Sequence, residues 1–445
     1  GAVFTDAHSA SAVCTPSRYG ILTGRYCWRT ALKRSVLYSY EPPLIEAGRP
    51  TVASVLKAAG YRTACIGKWH LGLGYRSREG RPVDFSEPLP WGEADRGLEE
   101  SIDFQAPIAG GPLSLGFDSF FGTSGCSTCQ PPYGFIDGER FVSAPSRYVE
   151  RFPYTGRPGM TSPGWDHAEV DPTFARKAVE CIDAQKSSTQ PFFLYLAPSA
   201  AHEPCVEETV PRFARGKSDA GPRGDLVWLF DWMLARVVDA LSRTGQLDST
   251  AIIVTSDNGA LPGDRVMTAS GAEEYRTYGH ASSGEWRGYK SHIWEGGHRE
   301  PLIVSWPSII EAGSRCSELV GLNDLPKTVA EIAGTAFPPG SAEDSRSILP
   351  LLLGQVPMVS VHEDLIHHSG TGVFSLRSGE WKLIHESEGS GGWPPPSGGS
   401  PTPGSQGQLY DLSKDPSEVD NLFSREKAVV RELTGRLLSQ IGDAQ

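Results

Sequence analysis

Short apolar runs of strand length alternate with helical patterns over most of this chain, and that alternation constrains its fold more than any other feature. YRTACIG, PFFLYLA, AIIVTSD and PLIVSWP read as buried strands. In TVASVLKAAG, Thr51 is a good N-cap, Val52, Val55, Leu56 and Ala59 fall on a helical period, and Gly60 stops the helix. Asp171 and Pro172 fit the N-cap and first turn of a helix running towards Ala184, and LVWLFDWMLARVVDALSRTG predicts a long helix ended by Gly245. Strand and helix in this order predict an α/β fold: a large, mostly parallel sheet flanked by helices.

Past about residue 340 the texture changes. GVFSLRS, EWKLIHE and QLYDL predict a small antiparallel sheet, and SREKAVVRELTGRLLSQIG an amphipathic helix packed on it. Between these strands a Gly-, Pro- and Ser-rich stretch, 387–407, cannot form a packed core and reads as a flexible loop or as a lid carrying Trp393. The expected division is therefore a catalytic α/β domain over 1–340 and a C-terminal subdomain over 341–445. No internal repeat is evident.

Lys plus Arg total 41 against 53 Asp plus Glu, a net charge of -12 that argues against a nucleic-acid or anionic-membrane binder. No run reaches the apolar length of a membrane span. The 8 cysteines are too few for a disulfide framework at this length. Cys126 and Cys129 form the one close pair, in a loop marked by Gly125, Pro131 and Pro132, and are expected to be a local disulfide or free thiols.

In open parallel sheets, ligands bind beyond the carboxyl ends of the strands. Here those ends carry chemistry: Lys68, Trp69 and His70 follow CIG, His202 closes PSAAH after FFLYLA, and Asp257 and Asn258 follow AIIVTS. Each has an ordinary explanation alone, but three strands delivering such residues to one rim outweigh it. CTPSRYGILTGR belongs with them: Pro16 fits a first helical turn and Gly24 a stop, which puts Cys14 at a helix N-terminus, where an anion is favoured. Arg18, Arg25, Arg29, Lys33 and Arg34 follow with no acid among them.

These residues carry a resemblance. CTPSRYGILTGR resembles the signature of the type I, formylglycine-dependent sulfatases, and GKWHLG, SDNG and GYKSHIWEGGHREPLIVSWP are similar to that family's further blocks, as QLYDLSKDPSEVDNL is to its closing segment. The resemblance implies an alkaline-phosphatase-like fold and a sulfuric ester hydrolase in which Cys14 is oxidised to Cα-formylglycine, Cys14, Pro16 and Arg18 forming the pattern read by the formylglycine-generating enzyme. It implies that Asp257 and Asn258, with the modified Cys14, hold a divalent cation, Ca²⁺ or Mg²⁺. Lys68 and Lys290 would clamp the sulfate, Arg18 hold the hydrated aldehyde, His202 with Lys290 protonate the leaving oxygen, and His70 take a proton during sulfate release. His280 is read either as a pocket residue or as an ordinary loop histidine.

In the family a pair of adjacent Asp residues upstream of the cysteine completes the metal site. This chain begins thirteen residues before Cys14 and has no such pair there, so it is expected to be a piece of a longer protein. No clear second-metal set favours a sulfate over a phosphate ester; a phosphonate or phosphodiester hydrolase of the same fold and an inactive sulfated-glycan binder are the rival readings. Tyr19, Trp28, Trp69, Tyr133 and Trp286 hint weakly at stacking on sugar or aryl rings. The expected partner is a sulfated carbohydrate, with aryl sulfates as surrogates, and the resemblance implies a secreted, periplasmic or lysosome-like location.

Overall fold

The parallel pairing expected from the sequence centres on the strand Arg62–Lys68, which runs parallel to Ser119–Thr123 on one side and to Phe192–Ala197 on the other. In this computed structural model, residues 1–83, 96–152, 154, 157–261, 278–355, 360–393 and 406–442 are described. They fall into two units, one of residues 1–36, 248–263 and 267–445, the other of 37–247 and 264–266. The division expected at residue 340 follows the chain, whereas these units cut across it: 341–445 lies in the same unit as 1–36.

The unit built on 37–247 holds a five-stranded sheet, completed by the antiparallel strands Ile136–Asp137 and Arg140–Phe141. Every residue of Arg62–Lys68 after the first is buried. Gly67 is obligatory there: its φ is +119°, and a Cβ would stand 2.0 Å from the Ala197 carbonyl oxygen. Helix Val52–Ala58 starts as expected, with the Thr51 side chain accepting from Ser54 N–H and the Ser54 side chain answering to the Thr51 backbone. The long helix spans Gly221–Arg243, with Gly245 just beyond it at φ 74°. Helix Val170–Asp183 differs from expectation. Asp171 lies inside it, not at its cap, and accepts from the N–H groups of Ser199 (2.7 Å) and Ala200 (2.9 Å).

The other unit holds a mixed sheet in the order Ile252–Thr255, Leu302–Ser305, Ala2–Phe4, Ser314–Cys316. Its first two pairings are antiparallel and its last is parallel, so PLIVSWP runs against AIIVTSD. Ile252–Thr255 is half-buried along its length, in keeping with its place at the end of that order. Ala2, Phe4, Leu302, Val304, Val320 and Ile348 form the core against which this sheet packs.

The small antiparallel sheet expected near the C-terminus is present, with one strand more, Asp364–His368, than the sequence reading has. Asp364–His368, Phe374–Ser378, Trp381–Ile384 and Gln408–Asp411 form an antiparallel four-stranded sheet. Helix Lys427–Ile441 buries Leu433, Leu437 and Ile441, one side chain per turn, in a core shared with Leu376, Leu383 and Leu409. Of the Gly-, Pro- and Ser-rich stretch, 394–405 lie outside the described residues. Trp393 is pinned at its backbone, its N–H donating to Ser291 Oγ (2.9 Å) and its carbonyl accepting from that hydroxyl (2.7 Å).

Candidate active site

Cys14 opens the helix Cys14–Thr23, as the Pro16 and Gly24 positions predict. Gly24 ends it in the left-handed region, at φ 68°. Val13, the N-cap, has no side-chain acceptor, and no acid stands in the first turn, so this helix start keeps its preference for an anion. Cys14 is 1% exposed and packs with Val13, Val36 and Trp393. One turn on, Arg18 reaches Asp257 with both Nε and Nη2 at 2.8 Å from Oδ2. The resemblance gives Arg18 to the product of Cys14; its observed partner here is the carboxylate.

Asp257 and Asn258 follow the strand Ile252–Thr255 after one residue, Ser256. The Asn258 amide donates to the Gly259 carbonyl at 3.1 Å, which turns Oδ1 the other way; Oδ1 is buried without a hydrogen-bond partner. Glu300 Oε1 is a second buried oxygen of this kind. Burial, and then the charge of Asp257, push the Glu300 carboxyl well above the usual carboxylate range. The unmatched Asn258 Oδ1 and the carboxylate of Asp257, its chain neighbour, are hard oxygen donors of the kind that fits a divalent cation of the calcium or magnesium type. Lys290 is 7% exposed, its backbone N–H donating to the Ala260 carbonyl at 2.7 Å.

The basic run after Cys14 has largely structural duties. Arg25 pairs with Glu343 at 3.1 Å and Arg29 with Asp344 at 2.8 Å, while Lys33 donates to the Trp28 carbonyl at 2.8 Å. His280 lies exposed on the surface of this unit. Of the aromatics, Tyr19 and Trp28 are core side chains here, as Trp69 and Tyr133 are in the other unit, and Trp286 stacks under the Arg299 guanidinium at 4.0 Å. Packing therefore accounts for these five rings.

In the unit built on 37–247, Lys68 ends its strand at 1% exposure, and His70 follows at φ 58°. His70 Nε2 is 2.9 Å from the Leu37 carbonyl, an acceptor, so that nitrogen carries the hydrogen and a neutral ring keeps its lone pair on Nδ1. That tautomer suits a base. His202 lies on the loop after Phe192–Ala197, the loop that Asp171 fastens through Ser199 and Ala200.

The sequence reading missed the neighbour of His202. Cys126 Sγ stands 3.2 Å from His202 Nδ1 and 2.9 Å from Cys129 Sγ, and both cysteines are free thiols. Burial pushes the Cys126 thiol up, but the S–H donated by Cys129 and the charges of His202 and Lys68 outweigh it, and Cys126 ionises well below the usual thiol range. The Gly- and Pro-marked loop was legible; its approach to a histidine 76 positions away was not.

A family model described as sulfatase matches residues 1–335. The N-acetylgalactosamine-6-O-sulfatase of Bacteroides thetaiotaomicron is 30% identical over 464 residues, covering 99% of this chain and 86% of that protein. Human arylsulfatase A is 31% identical, covering 95% of this chain and 76% of its own length. A solved Bacteroides thetaiotaomicron structure, from work on the metabolism of multiple glycosaminoglycans, superposes with a TM-score of 0.81 at 28% identity, over 99% of this chain and 92% of that one. The chain thus belongs to the sulfatase family, with its alkaline-phosphatase-like fold, and is a sulfuric ester hydrolase.

Proposed function

We propose that this sulfatase removes sulfate from a sulfated carbohydrate of the galactosamine type and turns over aryl sulfates as surrogates. The reading is supported by the likeness, over nearly the whole chain, to a protein named for N-acetylgalactosamine-6-O-sulfate. The single structural observation that carries it is the Arg18–Asp257 pair one helical turn from Cys14.

Cys14 is the residue that a formylglycine-generating enzyme would oxidise. The hydrated aldehyde would supply two hydroxyls on one carbon, one as the nucleophile for sulfur and the other to release sulfate by C–O cleavage. Asp257 and Asn258, with position 14, are the residues that would hold the cation, Ca²⁺ or Mg²⁺, which would supply positive charge to meet that of the sulfate. Arg18 orients Asp257 and the residue at position 14. Lys68 and Lys290 meet the sulfate charge with ammonium donors. His202, with Lys290, supplies the proton to the leaving oxygen, and His70, through Nδ1, accepts the proton released with sulfate. His280 is assigned to substrate contact. The location proposed is outside the cytoplasm, in a secreted, periplasmic or lysosome-like setting.

The test has two parts. Mass spectrometry of the Cys14 peptide, from protein made together with a formylglycine-generating enzyme, should show the aldehyde; an unmodified cysteine would refute this mechanism. A screen of 6-sulfated galactosamine saccharides beside aryl sulfates should find both turned over, and aryl sulfates alone reacting would overturn the carbohydrate assignment. Turnover of phosphate diesters without sulfate esters would move the chemistry to the phosphonate and diester hydrolases.

A further inference from the structure

Packing accounts for the aromatic rings discussed so far, but Trp393 stands differently. It joins the cluster formed by Val13, Cys14 and Val36, all within the unit that carries Cys14. Those three side chains are buried, whereas Trp393 stays partly exposed. The indole is therefore the member of this cluster that meets solvent, one contact layer from the position where the aldehyde would form.

The ring is held from its backbone and from behind. Trp393 N–H donates to Ser291 Oγ at 2.9 Å, and that hydroxyl donates to the Trp393 carbonyl at 2.7 Å. Ser291 is fixed in turn: its N–H donates to the Ala12 carbonyl at 2.7 Å, and its carbonyl accepts from Gly370 N–H at 2.8 Å. The Gly370 carbonyl accepts from Ser35 N–H, also at 2.8 Å. The benzo edge of the indole rests on Gly370, where a Cβ would stand 2.3 Å from Cζ3 and 2.8 Å from Cη2. Backbone bonds thus tie the ring to Ala12 and Ser35, on either side of Cys14 in the chain. Ser291 also follows directly on Lys290, one of the two lysines proposed to clamp the sulfate. A ring fixed in this way loses little freedom when a ligand settles on it.

We propose that Trp393 is a specificity-determining residue of this sulfatase: its exposed indole surface is the wall beside position 14 on which the ring of the leaving group, a pyranose or an aryl ring, stacks. An aromatic face carries the negative part of the ring quadrupole, which disfavours sulfate and favours C–H groups and the edges or offset faces of other rings. The indole therefore acts on the alcohol side of the ester, and the cationic groups on the anion. The assignment rests on the reading of Cys14 as the reacting position. It also gives one reason for a single site to take both sulfated sugars and aryl sulfates, since each presents a ring with an apolar face. A purely structural indole is the alternative, and it would affect inorganic sulfate and ring-bearing esters alike.

Protein carrying Cys14→Ala cannot acquire the aldehyde, so it reads binding without turnover. In that background Trp393→Ala should weaken the binding of para-nitrophenyl sulfate, followed by calorimetry, about 10–100-fold. Trp393→Phe should recover most of the loss, and the affinity for inorganic sulfate should stay unchanged. In the matured enzyme Trp393→Ala should raise KM for para-nitrophenyl sulfate and for N-acetylgalactosamine 6-sulfate by a similar factor, with kcat held within about threefold, the pattern of lost uniform binding. The proposal is overturned if para-nitrophenyl sulfate binds equally well with and without the indole, if inorganic sulfate weakens by the same factor, or if Trp393→Phe recovers nothing. A matured enzyme without turnover, beside an intact binding difference in the Cys14→Ala pair, would strike the mechanism at Cys14 and leave the wall standing.

Discussion

Arg18 holds Asp257 with two nitrogens on a single carboxylate oxygen, Nε and Nη2 each 2.8 Å from Oδ2. An ammonium has one nitrogen and cannot reproduce that fork. Arg18→Lys should therefore lower kcat/KM for an aryl sulfate by about 10²–10³, the range found when one preorganised donor is removed from a transition-state site. Arg18 also belongs to the pattern read during maturation, so the peptide bearing position 14 must be weighed by mass spectrometry in the same sample. Wild-type turnover in fully modified Arg18→Lys protein would show the pair to be dispensable.

If Asp257 and Asn258 hold the cation, its removal has a definite outcome. Exhaustive chelation should abolish turnover and lower the melting temperature, and Ca²⁺ or Mg²⁺ should restore both. Asn258→Leu should lose the restoration, because the buried Oδ1 has no hydrogen-bond partner to replace the cation. Calorimetric titration of the chelated protein measures this directly, and an unaltered Ca²⁺ isotherm in Asn258→Leu would remove Asn258 from the site.

Asp171 gives the protein a pH dependence of definite sign. Burial raises its carboxyl to about 6, against an ordinary value of 3.8, and the hydrogen bonds from Ser199 and Ala200 only partly offset this. Between those values the folded state keeps a proton that the unfolded state has lost, so this contribution is fully present below pH 3.8 and is lost as pH rises to about 6. The slope is about 1.4 kcal/mol per pH unit in that window. Asp171→Asn, which keeps an acceptor but not the titration, should flatten the pH dependence of urea unfolding between pH 4 and 6. Identical slopes in the two proteins would exclude Asp171 as its source.

Gly67 has no room for a side chain. A Cβ would meet the Ala197 carbonyl oxygen at 2.0 Å, whereas one at Gly60, also at positive φ, would meet nothing within 4 Å. Gly67→Ala should cost about 3 kcal/mol or more from overpacking and backbone strain together, and Gly60→Ala only the backbone part, about 1–2 kcal/mol. Urea midpoints of the two variants test the difference, and equal losses would rule out the close approach as the reason for glycine at 67.

The sequence by itself determined the local structure and most of the chemistry-bearing residues. Apolar runs of strand length, the Thr51 cap, the Gly24 stop and the period of Leu433, Leu437 and Ile441 are short-range signals, and each appears where the pattern puts it. Cys14, Asp257, Asn258 and Lys68 were legible because each sits at the edge of a regular element, where a change of pattern marks it. Tertiary structure decided which groups meet. Arg18 and Asp257 are 239 positions apart, Cys126 and His202 76, and His8 and His298 290. No local period records such pairs, and Glu300 looks like any surface acid until burial beside Asp257 raises its carboxyl. The same holds for Asp171, a helix-start residue by sequence that the fold turns into an anchor for the loop before His202. Secondary structure follows from neighbours along the chain, whereas desolvation and charge pairing depend on neighbours in space.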